Sequence, residues 1–364
     1  MPERGATPKV SRTARRLVRA TRPLASPFEL DDYLEQFNPL WSTRELRGRI
    51  ESVDRETADA VTVTIRPGHD WPGHEPGQFV RIGFDIDGVR HWRAYSLTSD
   101  PDREDGNISI TVKTVDEGRV SRFLAHGARP GMIVTLSDVE GEYILPDPPP
   151  EKLLFISAGS GVTPIMSMLR HLERERSLEN VVHLHSAKDG DDVIFREQLR
   201  GMAERYEGFR LHEQHTSEMG RMGPRDLADL CADWRERIAY LSGPAGLIDA
   251  LEEHWEEHGD KSLLNIERFQ IKLGTGETGE GGTVLFNASD CEAKADGNTP
   301  ILVAGEELGL ELPYGCREGI CHTCVGELCW GRVRDLRTGD VYGSEGEMIR
   351  TCISAPEGEV EINL

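Results

Sequence analysis

The sequence predicts a multidomain protein: a small antiparallel β-barrel, then a parallel α/β sheet, then a small α+β domain around a cysteine-rich loop. Three observations predict this order. Residues 43–147 contain short alternating strands, residues 148–264 alternate apolar strands with helical stretches, and residues 268–364 hold cysteines at Cys-x4-Cys-x2-Cys spacing. Residues 1–42 precede these domains as a basic N-terminal extension.

Length and charge limit the classes of function. A chain of 364 residues fits two or three domains. Residues 1–22 hold seven Lys/Arg and one Glu, a net of +6, so the rest of the −22 chain carries −28. So acidic a body repels nucleic acid, which excludes it as a partner. No apolar run reaches the ~18 residues of a membrane helix, and no signal peptide is evident. We therefore expect a cytoplasmic monomer, with peripheral contact at the inner membrane face as an option.

The basic extension, residues 1–42, leaves two interpretations open. Its apolar residues fall on one helical face, and arginines cover much of the remainder. Such a helix can lie on an anionic membrane surface or on a membrane-bound partner. Alternatively, the extension is a basic tail, disordered or resting on the acidic body.

The barrel is predicted from alternation with a period of two. Val61, Val63 and Ile65 alternate with threonines, and apolar residues alternate again after the turn at Asp105-Gly106. Short strands separated by regular turns are typical of a small antiparallel barrel.

The α/β domain is predicted from strands that alternate with helices, which indicates a parallel sheet. The predicted strands and helices are, in order, 153–158, 165–176, 181–187, 194–206, 238–244 and 245–258. A connector at 259–266 is expected to lead to the last domain. In that domain the glycine-rich stretch 274–283 is expected to separate two strands of a hairpin.

Four cysteines predict a metal centre. Cys316, Cys321 and Cys324 share one loop, and Cys352 follows after 27 intervening residues. This is the ligand spacing of a plant-type [2Fe–2S] cluster. Structural zinc sites usually pair two Cys-x2-Cys units, and only one is present here. A disulfide set is not expected in a long chain without a secretory signal.

The segment Arg93-x-Tyr95-Ser96 is similar to the flavin motif of the ferredoxin–NADP reductase superfamily. The resemblance implies that Arg93 pairs with the flavin phosphate. It implies that Tyr95 stacks on or hydrogen-bonds the isoalloxazine–ribityl portion and that Ser96 places a hydroxyl near flavin N5. A structural role for a Tyr and a Ser within a strand is the alternative.

A second segment resembles the part of the same family that ends in Gly-x-x-Ser, matched by Gly118 and Ser121. Lys113 and Val115 are then expected along the flavin, and N–H groups at the following helix start are expected to bind phosphate. The alternative is a turn with Ser121 as a helix cap. An intact Gly-x-x-Ser favours FAD over FMN, because the second phosphate of FAD needs a site.

A third segment, 157–164, resembles the family's pyridine-nucleotide loop. Gly159 and Gly161 allow close approach of a pyrophosphate, and the next helix presents its N-terminus. Thr163 and Pro164 match the family's residues that position nicotinamide against flavin. Many members have Cys-Gly at the end of the last nucleotide-domain strand. Here the chain has Ser242, followed by Gly243 and Pro244, so nicotinamide positioning is expected to differ.

The choice between NADPH and NADH depends on the ends of later strands. Ser186 and Lys188 suit a 2′-phosphate, whereas nearby aspartates favour a ribose hydroxyl. The further candidates on the two sides are Thr216, Ser217 and Arg221 for phosphate, and Asp189, Asp191 and Asp192 against it. We predict NADPH, with NADH as the alternative. Glu267 and Phe269 resemble a short family motif beside the flavin, or they are packing residues.

The resemblance covers about 44–364 and identifies the chain as similar to single-chain reductases that feed oxygenases and desaturases. It implies a β-grasp plant-type ferredoxin domain, and electrons moving from NAD(P)H through FAD to one [2Fe–2S] cluster. The extension, with FNPLWS at 37–42, resembles actinobacterial reductases that supply stearoyl-CoA Δ9-desaturase, a membrane di-iron enzyme. The alternatives are a reductase for a soluble Rieske or di-iron oxygenase, and a redox-sensing or anchoring subunit with little turnover.

Overall fold

The structure is a computed structural model that describes residues 35–86, 88–115, 118–269, 279–310, 312–314, 319 and 322–364. The predictions for residues 1–34, for Cys316 and Cys321, and for the first half of the glycine-rich stretch 274–283 lie outside this part of the chain. The chain divides into two compact units. The first ends at Glu267 but leaves out His91–Ala94, and the second contains Arg268–Leu364 together with His91–Ala94.

The first unit begins with a six-stranded antiparallel sheet. Its strands are β1 (Arg47–Arg55), β2 (Ala60–Pro67), β3 (Phe79–Ile86), β4 (Val89–Ser96), β5 (Ile108–Lys113) and β6 (Ile133–Glu140), in the order β4-β3-β6-β1-β2-β5. An antiparallel bridge from Leu97 to Ile110 joins the end of β4 to β5 and closes the barrel. Helix α1 (Arg119–His126) packs against it. Alternate side chains such as Val63 and Ile65 are buried inside, as the pattern predicts.

The rest of the first unit is a five-stranded parallel sheet with helices. Its strands are β7 (Leu153–Ala158), β8 (Val181–Ala187), β9 (Phe209–His215), β10 (Ile238–Ser242) and β11 (Leu264–Glu267). Its helices are α2 (Val162–Arg174), α3 (Arg196–Arg205), α4 (Thr216–Met219), α5 (Pro224–Leu230) and α6 (Ala245–His258). The strand order β11-β10-β7-β8-β9 reverses at β7, where later strands add to the other side.

Two strands of this sheet were not expected from the sequence. β9 reads FRLHEQH, and β11 replaces the end of the connector expected at 259–266. Both are edge strands, so neither needs the continuous apolar run that marks a strand covered on both faces. The parallel sheet therefore extends to Glu267.

The second unit is a mixed sheet with one helix. Its elements are β12 (Gly279–Phe286), β13 (Cys291–Gly297), α7 (Ile301–Glu307), β14 (Val325–Asp335), β15 (Val341–Tyr342), β16 (Glu347–Arg350) and β17 (Ser354–Asn363). The order is β13-β12-β17-β14-β15, with β16 beside β14 and the β12–β17 pair parallel. The described end of the glycine-rich stretch, 279–283, belongs to β12 and not to a turn. The predicted fold class is confirmed in all three domains.

Among the residues that the structure describes, no helix is both long enough and apolar enough to cross a bilayer.

Candidate active site

The two described cysteines of the predicted cluster set lie together in the second unit. Cys324 directly precedes β14, and Cys352 lies in the turn between β16 and β17. Their Sγ atoms are 3.1 Å apart, and both side chains are buried. The Thr351 hydroxyl donates to the Cys324 carbonyl at 2.8 Å and links the two segments. The geometry is that of two thiols converging on one buried point.

Gly319 joins the cysteine loop to this pair. Its N–H donates to Cys352 Sγ at 3.2 Å, and its carbonyl accepts from Arg350 Nη1 at 2.8 Å. Its φ is +71°, and a Cβ would lie 2.5 Å from Ile353 Cδ1, so only glycine fits. N–H donors aimed at sulfur tune iron–sulfur clusters, so these residues fit a [2Fe–2S] cluster. The other two predicted ligands, Cys316 and Cys321, lie outside the described residues.

The predicted flavin motif lies at the end of β4. Tyr95 is half-buried and meets Phe84 edge-on with ring centroids 6.3 Å apart, while Ser96 is buried. Arg93 is half-buried, and its Nη1 donates to the Trp92 carbonyl at 2.7 Å. Within the described ranges Arg93 forms no ion pair, so its charge fits a phosphate group.

The Gly-x-x-Ser segment forms the start of α1, with Gly118 at the N-cap and Ser121 in the first turn. Ser121 Oγ accepts the Val115 N–H at 3.1 Å and donates to the Gly118 carbonyl at 3.1 Å. A Cβ on Gly118 would lie 2.4 Å from Ser121 Oγ. Among the residues that the structure describes, no side chain caps α1 and none in its first turn is acidic, which suits an anion.

Two residues expected along the flavin have different surroundings. Val115 is 62% exposed, which suits a flat apolar ligand. Lys113 instead pairs with Asp59, Nζ to Oδ2 at 3.0 Å, so its charge already has a partner.

The predicted nucleotide loop lies where the strand order reverses. Gly159 has φ of +54°, with open space where a Cβ would be. At Gly161 a Cβ would lie 2.2 Å from the Ser242 carbonyl oxygen, so glycine lets the loop touch the end of β10. The buried Ser242 Oγ has no hydrogen-bond partner among the described residues. Ligands of open α/β sheets bind at such a switch point, so the loop fits a dinucleotide.

The neighbouring candidates complete this edge. Thr163 is buried at the start of α2, and its hydroxyl donates to the Ser160 carbonyl at 2.9 Å. Pro164 is buried in the first turn of α2. A Cβ on Gly243 would lie 3.3 Å from Ala158 Cβ, and Pro244 caps α6.

A buried polar network beneath the loop was missed from the sequence. Ser157 Oγ lies 2.8 Å from His183 Nε2 and 2.8 Å from His185 Nδ1. Burial holds the pKa of His183 well below its usual range and lowers that of His185 to about 4, so both are neutral at pH 7. The network holds Ser157 directly before the loop. The sequence signal that could have indicated this network is a serine in one apolar strand and two alternating histidines in the next.

Glu267 ends β11 beside Ser242. Burial raises the pKa of its carboxyl to about 7. The pKa of Tyr143 is raised well above its usual range, first by burial and then by Glu267. Tyr240 packs edge-on against Tyr143 at 5.3 Å. Phe269 is half-buried in the second unit.

The residues considered for the nucleotide 2′-phosphate lie after β8 and β9. Ser186 is buried and Lys188 is exposed, and the Lys188 carbonyl accepts the Ser217 N–H at 3.0 Å. Asp189 accepts from the N–H groups of Asp191 and Asp192. Asp191 also pairs with Arg196 at 2.7 Å. Asp189 and Asp191, two of the three carboxylates expected to disfavour a 2′-phosphate, therefore already have partners.

Comparisons with known families match all three domains. The model described as "Oxidoreductase FAD-binding domain" matches residues 54–143, and the "Oxidoreductase NAD-binding domain" matches 155–253. The "2Fe-2S iron-sulfur cluster binding domain" matches 285–357. These matches support FAD as the flavin, together with NAD(P)H and one [2Fe–2S] cluster.

Similar proteins share nearly the whole length. An "NADPH oxidoreductase" of Mycobacterium tuberculosis is 43% identical over 344 residues, which cover 94% of this chain and 90% of that protein. A "Glycine betaine monooxygenase reductase subunit" of Pseudomonas aeruginosa is 30% identical, with 79% and 87% covered. The solved structure of phthalate dioxygenase reductase, 21% identical, has a TM-score of 0.58 and covers 88% of this chain and 98% of its own, which shows a shared fold.

Proposed function

The chain belongs to the single-chain ferredoxin reductase-type oxidoreductases that combine FAD-, NAD- and 2Fe-2S-binding domains, and from that premise we propose that it supplies electrons from NADPH to a membrane fatty-acyl desaturase. The observation that carries the electron-transfer part of this proposal is the presence, on one chain, of a nucleotide loop at Gly161 and the buried cysteines Cys324 and Cys352. One chain thus carries the groups for all internal electron transfers, so none of them needs a second subunit, and we propose a monomer.

Bound FAD would supply a two-electron hydride acceptor for NADPH and a one-electron donor for the cluster. The protein's part is to bind and orient. Arg93 and the start of α1 hold the phosphates, and Tyr95 and Ser96 contact the flavin ring. Gly159, Gly161 and Thr163 hold the nucleotide against it. Four cysteines ligate the cluster, namely Cys316, Cys321, Cys324 and Cys352.

NADPH is proposed over NADH because of the charges after β8. Lys188 is exposed and forms no ion pair among the described residues, and the same holds for Arg221. Asp191 forms an ion pair with Arg196. The unpaired cations favour a 2′-phosphate, and the relative named NADPH oxidoreductase supports the same choice.

The desaturase is proposed because the extension resembles that of desaturase reductases and carries a basic segment. Residues 1–22 carry +6 on an otherwise acidic chain, which suits an anionic membrane surface. The second candidate for the electron acceptor is a soluble oxygenase, since a 30% identical relative is named a glycine betaine monooxygenase reductase subunit.

The test is anaerobic stopped-flow absorbance of the reconstituted protein with NADPH, then NADH. Purified desaturase in vesicles is then added with acyl-CoA. We expect fast flavin bleaching with NADPH, cluster reduction, then reoxidation with formation of a double bond. Slow flavin reduction by both NADPH and NADH would favour the sensing or anchoring subunit and reject the reductase.

A deletion of residues 1–34 separates the two acceptors. The deletion stops there because Leu40 is buried and Glu35 pairs with Arg47 at 3.0 Å. We expect unchanged ferricyanide reduction and loss of binding to vesicles that contain anionic lipid and desaturase. Unchanged desaturase turnover in the deleted protein would contradict a role for the extension. Transfer to a soluble oxygenase but not to desaturase would establish the second candidate.

A further inference from the structure

The polar face of α2 contacts the segment 98–102, which follows β4. The polar residues recur at i, i+3, i+4 and i+7 and so share one helical face. They are Ser167, Arg170, His171 and Arg174. This contact joins the barrel to the parallel sheet within the first unit, and none of its residues is assigned to a cofactor.

The inner half of the contact is buried and directed at backbone carbonyls. Ser167 Oγ donates to the Ser99 carbonyl at 2.7 Å, and Arg170 Nη1 donates to the Thr98 carbonyl at 2.5 Å. Thr98, Ser99 and Ser167 are almost fully buried. Buried hydrogen bonds to a charged donor are strong and directional, so they determine the position of the segment.

The outer half is an ion-pair cluster. Arg174 Nε lies 2.6 Å from Asp100 Oδ2, and its Nη2 lies 2.5 Å from Asp102 Oδ2. His171 Nδ1 is 3.6 Å from Asp100 Oδ1. Asp100 is largely buried, with its side chain 12% exposed, whereas Asp102 is exposed. The guanidinium bridges the two carboxylates, so we propose no cation site there, although their oxygens and the histidine nitrogen lie within 4.8 Å of one another.

Arg170 also contacts two residues outside the segment 98–102. Its Nη2 donates to Gln198 Oε1 at 2.6 Å, and its guanidinium lies 5.0 Å from the centroid of the Phe195 ring. Burial lowers the pKa of Arg170 to about 10, so it stays charged at neutral pH. A side chain fixed on two sides cannot follow an independent movement of 98–102.

We propose that this contact, the 98–102 clasp, sets the distance between the flavin strand β4 and the nucleotide helix α2. Arg170, Arg174 and Asp100 are then positioning residues for hydride transfer. Ser96 lies two residues before Thr98, and Thr163 lies four residues before Ser167, so the clasp ties the same two elements that carry the proposed flavin and nucleotide contacts. The inference rests on the proposed function only where it assigns flavin contacts to β4 and nucleotide contacts to α2.

The kinetic test uses Asp100→Asn, Arg174→Gln and the double variant. The rate constant for flavin reduction at saturating NADPH should fall about tenfold or more, because misplacement by about 1 Å can cost 10²-fold. The NADPH dissociation constant and the FAD content should stay within about twofold of wild type. The double variant should be no slower than the worse single variant, since both changes break one contact. Arg174→Lys should recover part of the rate.

A matched control is Arg205→Gln, which removes an exposed ion pair with Glu173 at 2.5 Å outside the clasp. It should leave the reduction rate unchanged. A second readout needs no cofactor: in FAD-free protein, amide hydrogen exchange of peptides covering 98–102 should rise in the clasp variants and not in the control.

Two outcomes overturn the proposal. Reduction rates equal to wild type in both single variants would remove the positioning role, and unchanged exchange at 98–102 would remove the clasp itself. If the wild-type flavin is not reduced by NADPH at all, the proposed function fails first, and the exchange result still decides the clasp. Ser167→Ala, which removes one buried hydroxyl without changing charge, repeats the test if Asp100→Asn does not fold.

Discussion

At the scale of single residues, Glu267 shows what burial does to a carboxyl at the edge of the parallel sheet. Its pKa is raised to about 7 because burial disfavours the charged form. The hydroxyl of Tyr143 is buried without a partner among the described residues, and Glu267 adds to the rise in its pKa that burial causes. Near pH 7 this carboxyl is about half protonated, so it is the described group most sensitive to small pH changes beside the nucleotide loop.

We predict that Glu267→Gln removes a pH dependence of stability. The folded protein holds the Glu267 proton up to about pH 7, whereas the unfolded chain releases it near 4.5. The folded state thus binds more protons between these values, and its stability falls as pH rises through that window. Urea unfolding at pH 5 and pH 8 should show the variant gaining relative to wild type at pH 8, by up to about 3 kcal/mol. An equal difference at both pH values would contradict the raised pKa.

At the scale of elements, the junction of β7 and α2 depends on one close approach. Gly161 lies so near the end of β10 that a Cβ would meet Ser242 O at 2.2 Å and Gly243 N at 2.7 Å. The loop therefore takes its position from a neighbouring strand that is distant in sequence, and the reversal of strand order puts both at one sheet edge.

We predict that Gly161→Ala weakens nucleotide binding about tenfold or more. Over-packing of this kind costs about 1–3 kcal/mol, because the loop must move away from β10. Isothermal titration with NADP⁺ measures the change, and FAD content should not alter. Gly246→Ala is the matched control, since nothing lies within 4 Å of its Cβ position. Wild-type affinity in the Gly161 variant would remove the loop from the nucleotide site.

At the scale of the whole molecule, the buried clusters divide between the two units. The core that contains Cys324 and Cys352 is built from residues of the second unit, from Val284 to Ile362. The barrel and the parallel sheet have cores of their own. Loss of the cluster should therefore leave the flavin and nucleotide domains folded.

We predict that Cys352→Ser abolishes the cluster and reduction of protein acceptors, yet retains NADPH-dependent ferricyanide reduction. Iron analysis and the visible absorption spectrum measure the first, and steady-state kinetics measure the second. Cys329→Ser is the control, because this half-buried thiol lies outside the ligand spacing and should keep its iron. Full cluster content in the Cys352 variant would exclude it as a ligand.

Prediction from sequence succeeded where a local pattern carries the physical cause. Val61, Val63 and Ile65 alternate because one side of a strand faces a core, and the glycine turn after Leu153–Ala158 marks a strand-to-helix junction. Prediction from sequence missed β9 and β11, because these edge strands are half-exposed and lack an apolar run.

The sequence by itself determined the three domains and their order, the cysteine spacing and the motif residues, because spacing and periodicity are local properties of the chain. Only the tertiary structure decided what those residues touch. It placed Gly161 against Ser242, set Ser157 between two neutral histidines, and turned the polar face of α2 onto segment 98–102. These contacts join segments far apart in sequence. The sequence pattern of a polar helix face is the same whether that face contacts water or another segment of the chain.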